Sequence, residues 1–303
     1  MIEAFAGWLA AAVPAEVVAM YRAALRVYGE PSFFGLVAVV LFLERVRPAI
    51  KDQRVFSAGF AQDFLWFNLD GIFKLAIFPA HMGLLKAIYD RVTGGFAFTG
   101  SDAWPVAVTA LVAFLLSDFL AWFHHFVRHH VPALWHFHVI HHSQRQMNLF
   151  TDNRQHWVEY FVATSITFVP LFLFPLDHPL TVTIATVQLW YTRFIHANVR
   201  TNFGPLRYVF VTPQSHRVHH SIEVKHRDRN FGVVLSIWDR MFGTLYPGYD
   251  EYPATGVEGV DFRPASLRSP FSWAASFWEQ AVYPLRQLAR LRGSSDPLRS
   301  HGG

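Results

Sequence analysis

Three short histidine patterns could carry the chemistry of this chain. They are His125-Phe126-Val127-Arg128-His129, His138-Val139-Ile140-His141-His142 and His216-Arg217-Val218-His219-His220. Residues four apart share a helix face, so His125 and His129 can converge on one ion. Positions 138, 141 and 142 stand at i, i+3 and i+4 of one helix, and the ~100° turn between neighbours lets His141 and His142 face different ions. The third pattern repeats the second. Eight imidazoles on three helical segments exceed what one four- or six-coordinate ion takes, and they suit two ions. The chain has no Cys, which removes disulfides, iron–sulfur clusters, thiolate zinc sites and cysteine nucleophiles together. Any metal must be held by His, Asp or Glu.

Other residues stand where they can complete or orient such a site. His196 falls at the end of an apolar run and can add a ligand. Either His124 or His125 opens the first pattern; the spacings to His129 and to Asp118 favour His125. Asp118 lies seven residues before His125, two turns earlier on the same face, where its carboxylate can accept a ring N–H. Asn230 and Asp239 flank the apolar run 231–238, and Arg154 and His156 sit near Glu159; these four are expected to orient ligands. The remaining histidines, among them His81, His130, His136, His178, His226 and His301, are expected at surfaces, interfaces or in packing.

The elements that must position these residues are membrane helices. The 303 residues are 52% hydrophobic and 17% aromatic, and only 16% are charged, against roughly 25% in an ordinary soluble domain. Mean hydropathy is +0.21. Disorder is excluded by the same composition. Apolar stretches run over 31–44, 60–89, 104–123, 160–176 and 180–195, the second interrupted by Asp63, Asn68, Asp70, Lys74 and Pro79. That second stretch is either one tilted span or a kinked, partly re-entrant pair. Residues 4–26 form a weaker helix that either spans or lies in the interface. The expected fold is all-α, an integral membrane bundle of about four to six helices. The basic loop at 45–54 marks the cytoplasmic side. Alternating spans then put 124–159 and 196–303 on that side as a helical His-rich cap holding two metal ions. The net charge of +4 and pI near 9.4 read as membrane-surface charge, with no nucleic-acid partner. The N-terminus lacks the positive region of a secretory signal, and from Arg290 onward the chain is expected to be a loose tail.

Asp118-Phe119-Leu120-Ala121-Trp122-Phe123-His124-His125, His129, Leu134-Trp135-His136-Phe137-His138-Val139-Ile140-His141-His142-Ser143, His216-Arg217-Val218-His219-His220-Ser221, Asn230-Phe231-Gly232 and Trp238-Asp239-Arg240-Met241-Phe242-Gly243-Thr244 together resemble the fatty acid hydroxylase superfamily. That superfamily includes sterol desaturases, sterol methyl oxidases, lipid hydroxylases and alkylglycerol monooxygenase. The likeness covers about 104–247, between N-terminal membrane helices (1–103) and a C-terminal cytoplasmic extension and tail (248–303). The family's first box usually reads His-Arg-x-x-His, whereas Phe126 follows His125 here and the Arg stands at 128. Arg200 occupies a place where some relatives have another His, so the site is not extended to it.

The resemblance implies a membrane-bound non-haem di-iron oxygenase that uses O2 and two external electrons to hydroxylate or desaturate an unactivated C–H bond of a lipid drawn from the bilayer. Its two Fe ions, for which Zn can substitute in purified protein, would be held by His125, His129, His138, His141, His142, His196, His216, His219 and His220. No flavin, nicotinamide or haem motif is present, so a reductase, ferredoxin, cytochrome b5-like protein or pterin must donate electrons. A zinc-dependent membrane hydrolase would use the same ligand types, but the sequence has no HExxH. A metal transporter would place its ligands near the bilayer midplane on broken helices, whereas these boxes flank the spans among Arg residues.

Overall fold

The structure is a computed structural model that describes residues 31–98, 100, 103–174, 178–263 and 269–293. Ten α-helices occur among them: α1 Pro31–Val46, α2 Ala58–Thr93, α3 Val106–His130, α4 Pro132–His142, α5 Trp157–Thr167, α6 Val169–Leu173, α7 His178–His196, α8 Pro213–His219, α9 Ile237–Met241 and α10 Pro270–Gly293. Short 3-10 turns at Thr151–Asn153, Gly204–Tyr208 and Val224–His226 link them. Among the described residues, β-pairing is confined to isolated bridges such as Pro48 with Val199. The fold is all-α. The expected 4–26 helix and the tail beyond 293 lie outside the described residues.

Of the expected spans, Val106–His130 is the one described helix both long and apolar enough to cross a membrane. Only 22% of its most apolar stretch is buried inside the molecule. The other stretches differ for local reasons. α1 has 16 residues. The stretch expected at 160–176 breaks at Phe168, where α6 starts afresh with Pro170 in its first turn and no N–H to give to the preceding helix. The 60–89 stretch is one continuous helix of 36 residues with Pro79 inside it. Ser57 starts it by accepting the Phe60 N–H, and Gly94 stops it in the left-handed conformation at φ 67°. It is ~54 Å long, and its N-terminal third packs against the loop that follows α4.

The cap is assembled by α3 packing on α4 and α5, α7 on α8, and the 151–153 turn on both α2 and α7. A small apolar core of Val40, Leu149, Phe150, Ala197 and Val199 joins α1 to the loops that carry the site. The C-terminal region is more ordered than expected, since 270–293 is helix α10 and Arg290 falls in its last turn. α10 buries polar residues and exposes apolar ones. Ser276 and Gln280 are fully buried, while Phe271 is 87%, Trp278 64% and Leu285 57% exposed. Gln62 donates to Ser276 Oγ at 2.6 Å and Trp66 Nε1 to Gln280 Oε1 at 3.1 Å, fixing α10 to α2.

Candidate metal centre

Local sequence explains how the three boxes meet. Pro132 forces its predecessor out of the helical region, and Val131 sits at φ −99°, ψ 109°. The chain therefore breaks between α3 and α4, and two histidine-bearing helices follow each other with a single residue between. At the third box, Thr212 and Ser215 form a reciprocal capping box with Pro213 in the first turn. That box starts a helix of 7 residues just before His216. His196 is the last residue of α7.

Nine imidazoles gather in two groups, each with its candidate ligand atoms within 4.8 Å of one another. The first holds His125, His129, His138, His142 and His219; the second holds His141, His196, His216 and His220. Adjacent residues are dealt to different groups, since His141 and His142 part company, as do His219 and His220. The groups abut: ring centroids of His142 and His220 are 4.3 Å apart and those of His138 and His141 are 5.2 Å apart. His124 is buried beside them but belongs to neither group.

The outward nitrogens define the state of the inward ones. Nδ1 of His125 donates to Phe231 O (2.9 Å), of His141 to Thr151 O (3.1 Å), of His196 to Thr192 O (2.6 Å) and of His219 to Arg229 O (2.7 Å). Nδ1 of His138 meets Glu159 at 2.7 Å and that of His129 meets Asp228 at 3.4 Å. A carbonyl can only accept, so Nδ1 carries the proton and Nε2 is left with a bare lone pair. Between His141 and His196, both bonded to carbonyls through Nδ1, two such lone pairs confront one another. Nε2 atoms of His129 and His138 each lie 3.1 Å from His142 Nε2, and His196 Nε2 lies 3.1 Å from His141 Nε2 and 2.8 Å from His216 Nε2. Nε2 of His125, His219 and His220 is buried without a partner. Such an arrangement calls for a positive charge in the middle of each group. Bonds of about 2.1 Å to one ion place ligand nitrogens about 3.0 Å apart at right angles, which is the spacing found. The imidazoles are also ready to bind: burial first, then the crowding of imidazoles that cannot all take up a proton, with Arg128 adding to it at His138, His141 and His219, hold His138, His141, His142, His216, His219 and His220 well below the usual imidazole range. They are neutral at pH 7.

The residues expected to orient the ligands behave differently from one another. Asp118 does not touch a histidine; its carboxylate accepts the N–H of Val234 (3.0 Å) and Leu235 (3.1 Å) and the Trp238 indole (2.9 Å). Pointing the same way as His125 on α3, it meets the 234–238 segment before any ring. Asp239 accepts the N–H of Phe231 and Gly232 at 2.8 Å each, Trp122 Nε1 at 3.0 Å and the Thr244 hydroxyl at 2.6 Å. It therefore fixes the carbonyl on which His125 leans. Asn230, at φ 60°, donates to Ser215 O at 2.9 Å and accepts from Tyr246 N at 2.8 Å, pinning the turn between the carbonyls used by His219 and His125. Arg154 donates to Ile140 O at 2.9 Å and to Ser143 Oγ at 3.2 Å, bracketing His141 and His142. His156 is remote from the rings: it caps α5 by accepting Val158 N–H and contacts Ala281 O at 3.1 Å.

Spacing arguments missed Glu159, Asp228 and the Thr151, Thr192 and Arg229 carbonyls, because each comes from another element and follows no period. Glu159 is 2% exposed and pairs with both Arg128 and His138. A third cluster, Glu223, His226 and Glu251, already encloses a cation: Lys225 Nζ lies 2.5 Å from Glu251 and 3.4 Å from Glu223.

Comparison with known proteins agrees with this geometry. Residues 110–244 match the fatty acid hydroxylase family. The chain is 30% identical over 175 residues to an ornithine lipid hydroxylase of Rhizobium tropici, covering 56% of this chain and 53% of that protein. It is 37% identical over 187 residues to an alkylglycerol monooxygenase of Danio rerio (58% and 40%). With the Homo sapiens alkylglycerol monooxygenase it shares 38% over 144 residues (47% and 32%). The matches thus span between about a third and a half of these relatives' lengths. No solved structure matches the chain significantly.

Proposed function

From the match of residues 110–244 to the fatty acid hydroxylase family we propose that this chain is a membrane-bound di-iron oxygenase. It hydroxylates, or desaturates, an unactivated C–H bond of a lipid with O2 and two external electrons. The observation that carries this reading is the pair of abutting groups of neutral imidazoles whose Nε2 atoms converge. All nine would be ligands. The relatives named for ornithine lipid and alkylglycerol substrates make headgroup-bearing or ether lipids the first candidates. Residues 104–247 form the catalytic unit, set in a bundle of about four to six spans with its cap facing the cytoplasm and a reductase, ferredoxin, cytochrome b5-like protein or pterin as electron donor.

What bound iron supplies is reductive activation of O2; positioning, protection and proton control fall to the chain. Nδ1 contacts with carbonyls and carboxylates hold the rings of His125, His129, His138, His141, His196 and His219 with Nε2 inward, so none of these six has to lose a proton when an ion enters. Glu159 holds the His138 ring in one orientation, and Arg128 balances its charge inside the cap. Val139, Ile140, Val218 and Phe231 are all but fully buried around the rings and keep water out, which protects a reactive centre from futile turnover. For hydroxylation, one oxygen atom enters the C–H bond; the other leaves as water with two electrons and two protons from outside.

The test is to load the purified chain anaerobically with ferrous iron in lipid nanodiscs, count the ions, and measure reductant-dependent O2 uptake. Lipids are then followed by mass spectrometry for gain of one oxygen or loss of two hydrogens. Two irons per chain and reductant-dependent uptake are expected. Retention of zinc alone with no uptake on any lipid would overturn the reading in favour of a hydrolase.

A further inference from the structure

The matched family segment starts at residue 110, yet a carboxylate far upstream is bonded to the loop whose Thr151 carbonyl meets His141. Asp63, on the N-terminal third of α2, is completely buried. Four side chains of the loop after α4 donate to it: Gln144 Nε2 at 2.7 Å, Asn148 Nδ2 at 2.8 Å, Thr151 Oγ1 at 2.6 Å and Arg154 Nη1 at 3.3 Å. The hydroxyl of Thr151 also accepts the Asn148 N–H at 3.0 Å. The carbonyl of the same Thr151 accepts the His141 Nδ1 proton at 3.1 Å. Gly59 lets α2 come this close, since a Cβ there would lie 2.7 Å from Gln146 Cβ. Its N–H donates to Gln146 Oε1 at 2.9 Å.

We propose that Asp63 is a positioning residue for the second histidine group, acting through Thr151 to aim His141, so that α2 completes one of the two metal sites. This rests on the di-metal reading above. A carbonyl orients a ring only if its own peptide plane is fixed, and the 144–154 loop, which has no helix or strand ladder of its own beyond one 3-10 turn, is fixed by converging on this carboxylate. His129, His138, His142 and His219 lean on other partners or none from this loop, and His125 leans on Phe231. The effect is therefore directed at one group.

The test uses the full chain in nanodiscs, with Co(II) as a spectroscopic probe and metal content read independently. Asp63→Asn and Thr151→Val should weaken one of the two ions by about 10–100-fold, changing half of the Co(II) ligand-field spectrum and leaving the other half unaltered. Thr151→Ser, which keeps the hydroxyl, should restore wild-type binding. If Asp63→Asn fails to fold, the Val and Ser pair at 151 still decides the matter. Thr151→Val binding both ions with wild-type affinity, or weakening both equally, overturns the proposal. Failure of the wild type itself to bind two ions would instead overturn the di-metal reading.

Discussion

Replacing Asp239 by Asn isolates the support of the first histidine group. Oδ1 of Asp239 accepts from Phe231 N, Trp122 Nε1 and Thr244 Oγ1, while Oδ2 accepts from Gly232 N alone. The amide can therefore keep three of the four bonds by placing its oxygen at the Oδ1 position, which turns its NH2 against the Gly232 N–H. That buried donor loses its acceptor at a cost of about 1–3 kcal/mol, and the other three bonds fall from charge-assisted to neutral strength, about 0.5–1 kcal/mol each. The total is roughly 2.5–6 kcal/mol, or about 5–24 °C in Tm at about 2–4 °C per kcal/mol. Because the displaced backbone includes the Phe231 carbonyl that holds His125, ion affinity at the first group should fall about 10-fold or more, and the second group should keep its ion. Thermal unfolding in detergent with and without metal, together with metal titration, measures both quantities. A variant with Tm within 2 °C of wild type and unaltered affinity for both ions would refute the chain of reasoning from Asp239 through Phe231 to His125.

Other expectations follow from the same packing. Gly232→Ala should destabilise the loop measurably by thermal melt, since a Cβ would meet Val211 Cγ2 at 2.7 Å, Asp239 Oδ2 at 2.8 Å and Leu235 O at 2.9 Å. Glu159→Ala strands Arg128 as an uncompensated buried charge and should cost about 3–5 kcal/mol, seen as loss of folded protein on size-exclusion chromatography; Glu159→Ala with Arg128→Met should recover much of it. For the metal-free chain, the folded imidazoles lie well below the usual range, so the unfolded chain alone takes up protons as pH drops below about 6.5. Stability is then fully present above that pH and falls with acidification, and a Tm that rises between pH 7.5 and 5.5 would contradict the buried neutral state. Finally, the chain has no Cys, so single cysteines can be spin-labelled; labels at 271, 278 and 285 should report lipid-like oxygen accessibility in nanodiscs, and a label at 286 aqueous accessibility.

Much of the site is legible in the sequence because helical periodicity is local. The spacings 138, 141, 142 and 216, 219, 220 are sufficient to set neighbouring imidazoles on different sides of a helix, and Pro132 and Thr212-Pro213 signal where those helices begin. What holds the rings comes from far away and has no period. Asp118 illustrates the limit: its face on α3 is readable, but the arrival of 234–238 to take its hydrogen bonds is a tertiary fact. The split at Phe168 and the continuity of α2 through Pro79 show the same competition, with a proline breaking one apolar stretch and being absorbed in another by surrounding packing. α10 was obscured because its buried side is polar, the reverse of the pattern that marks a helix packed on a water-soluble core.

The bonding of α10 to α2 also sets a schedule. Gln62 and Trp66 pair with Ser276 and Gln280 across 214 residues of chain. At about 5–20 residues per second of synthesis, roughly 10–40 s separate the appearance of the two halves of that contact. During that interval the indole N–H of Trp66 and the amide of Gln62 have no partner from α10, and the flank of the cap stands open. A chain ending before 276 never closes it. The last described helix is thus the one that seals this flank of the cap.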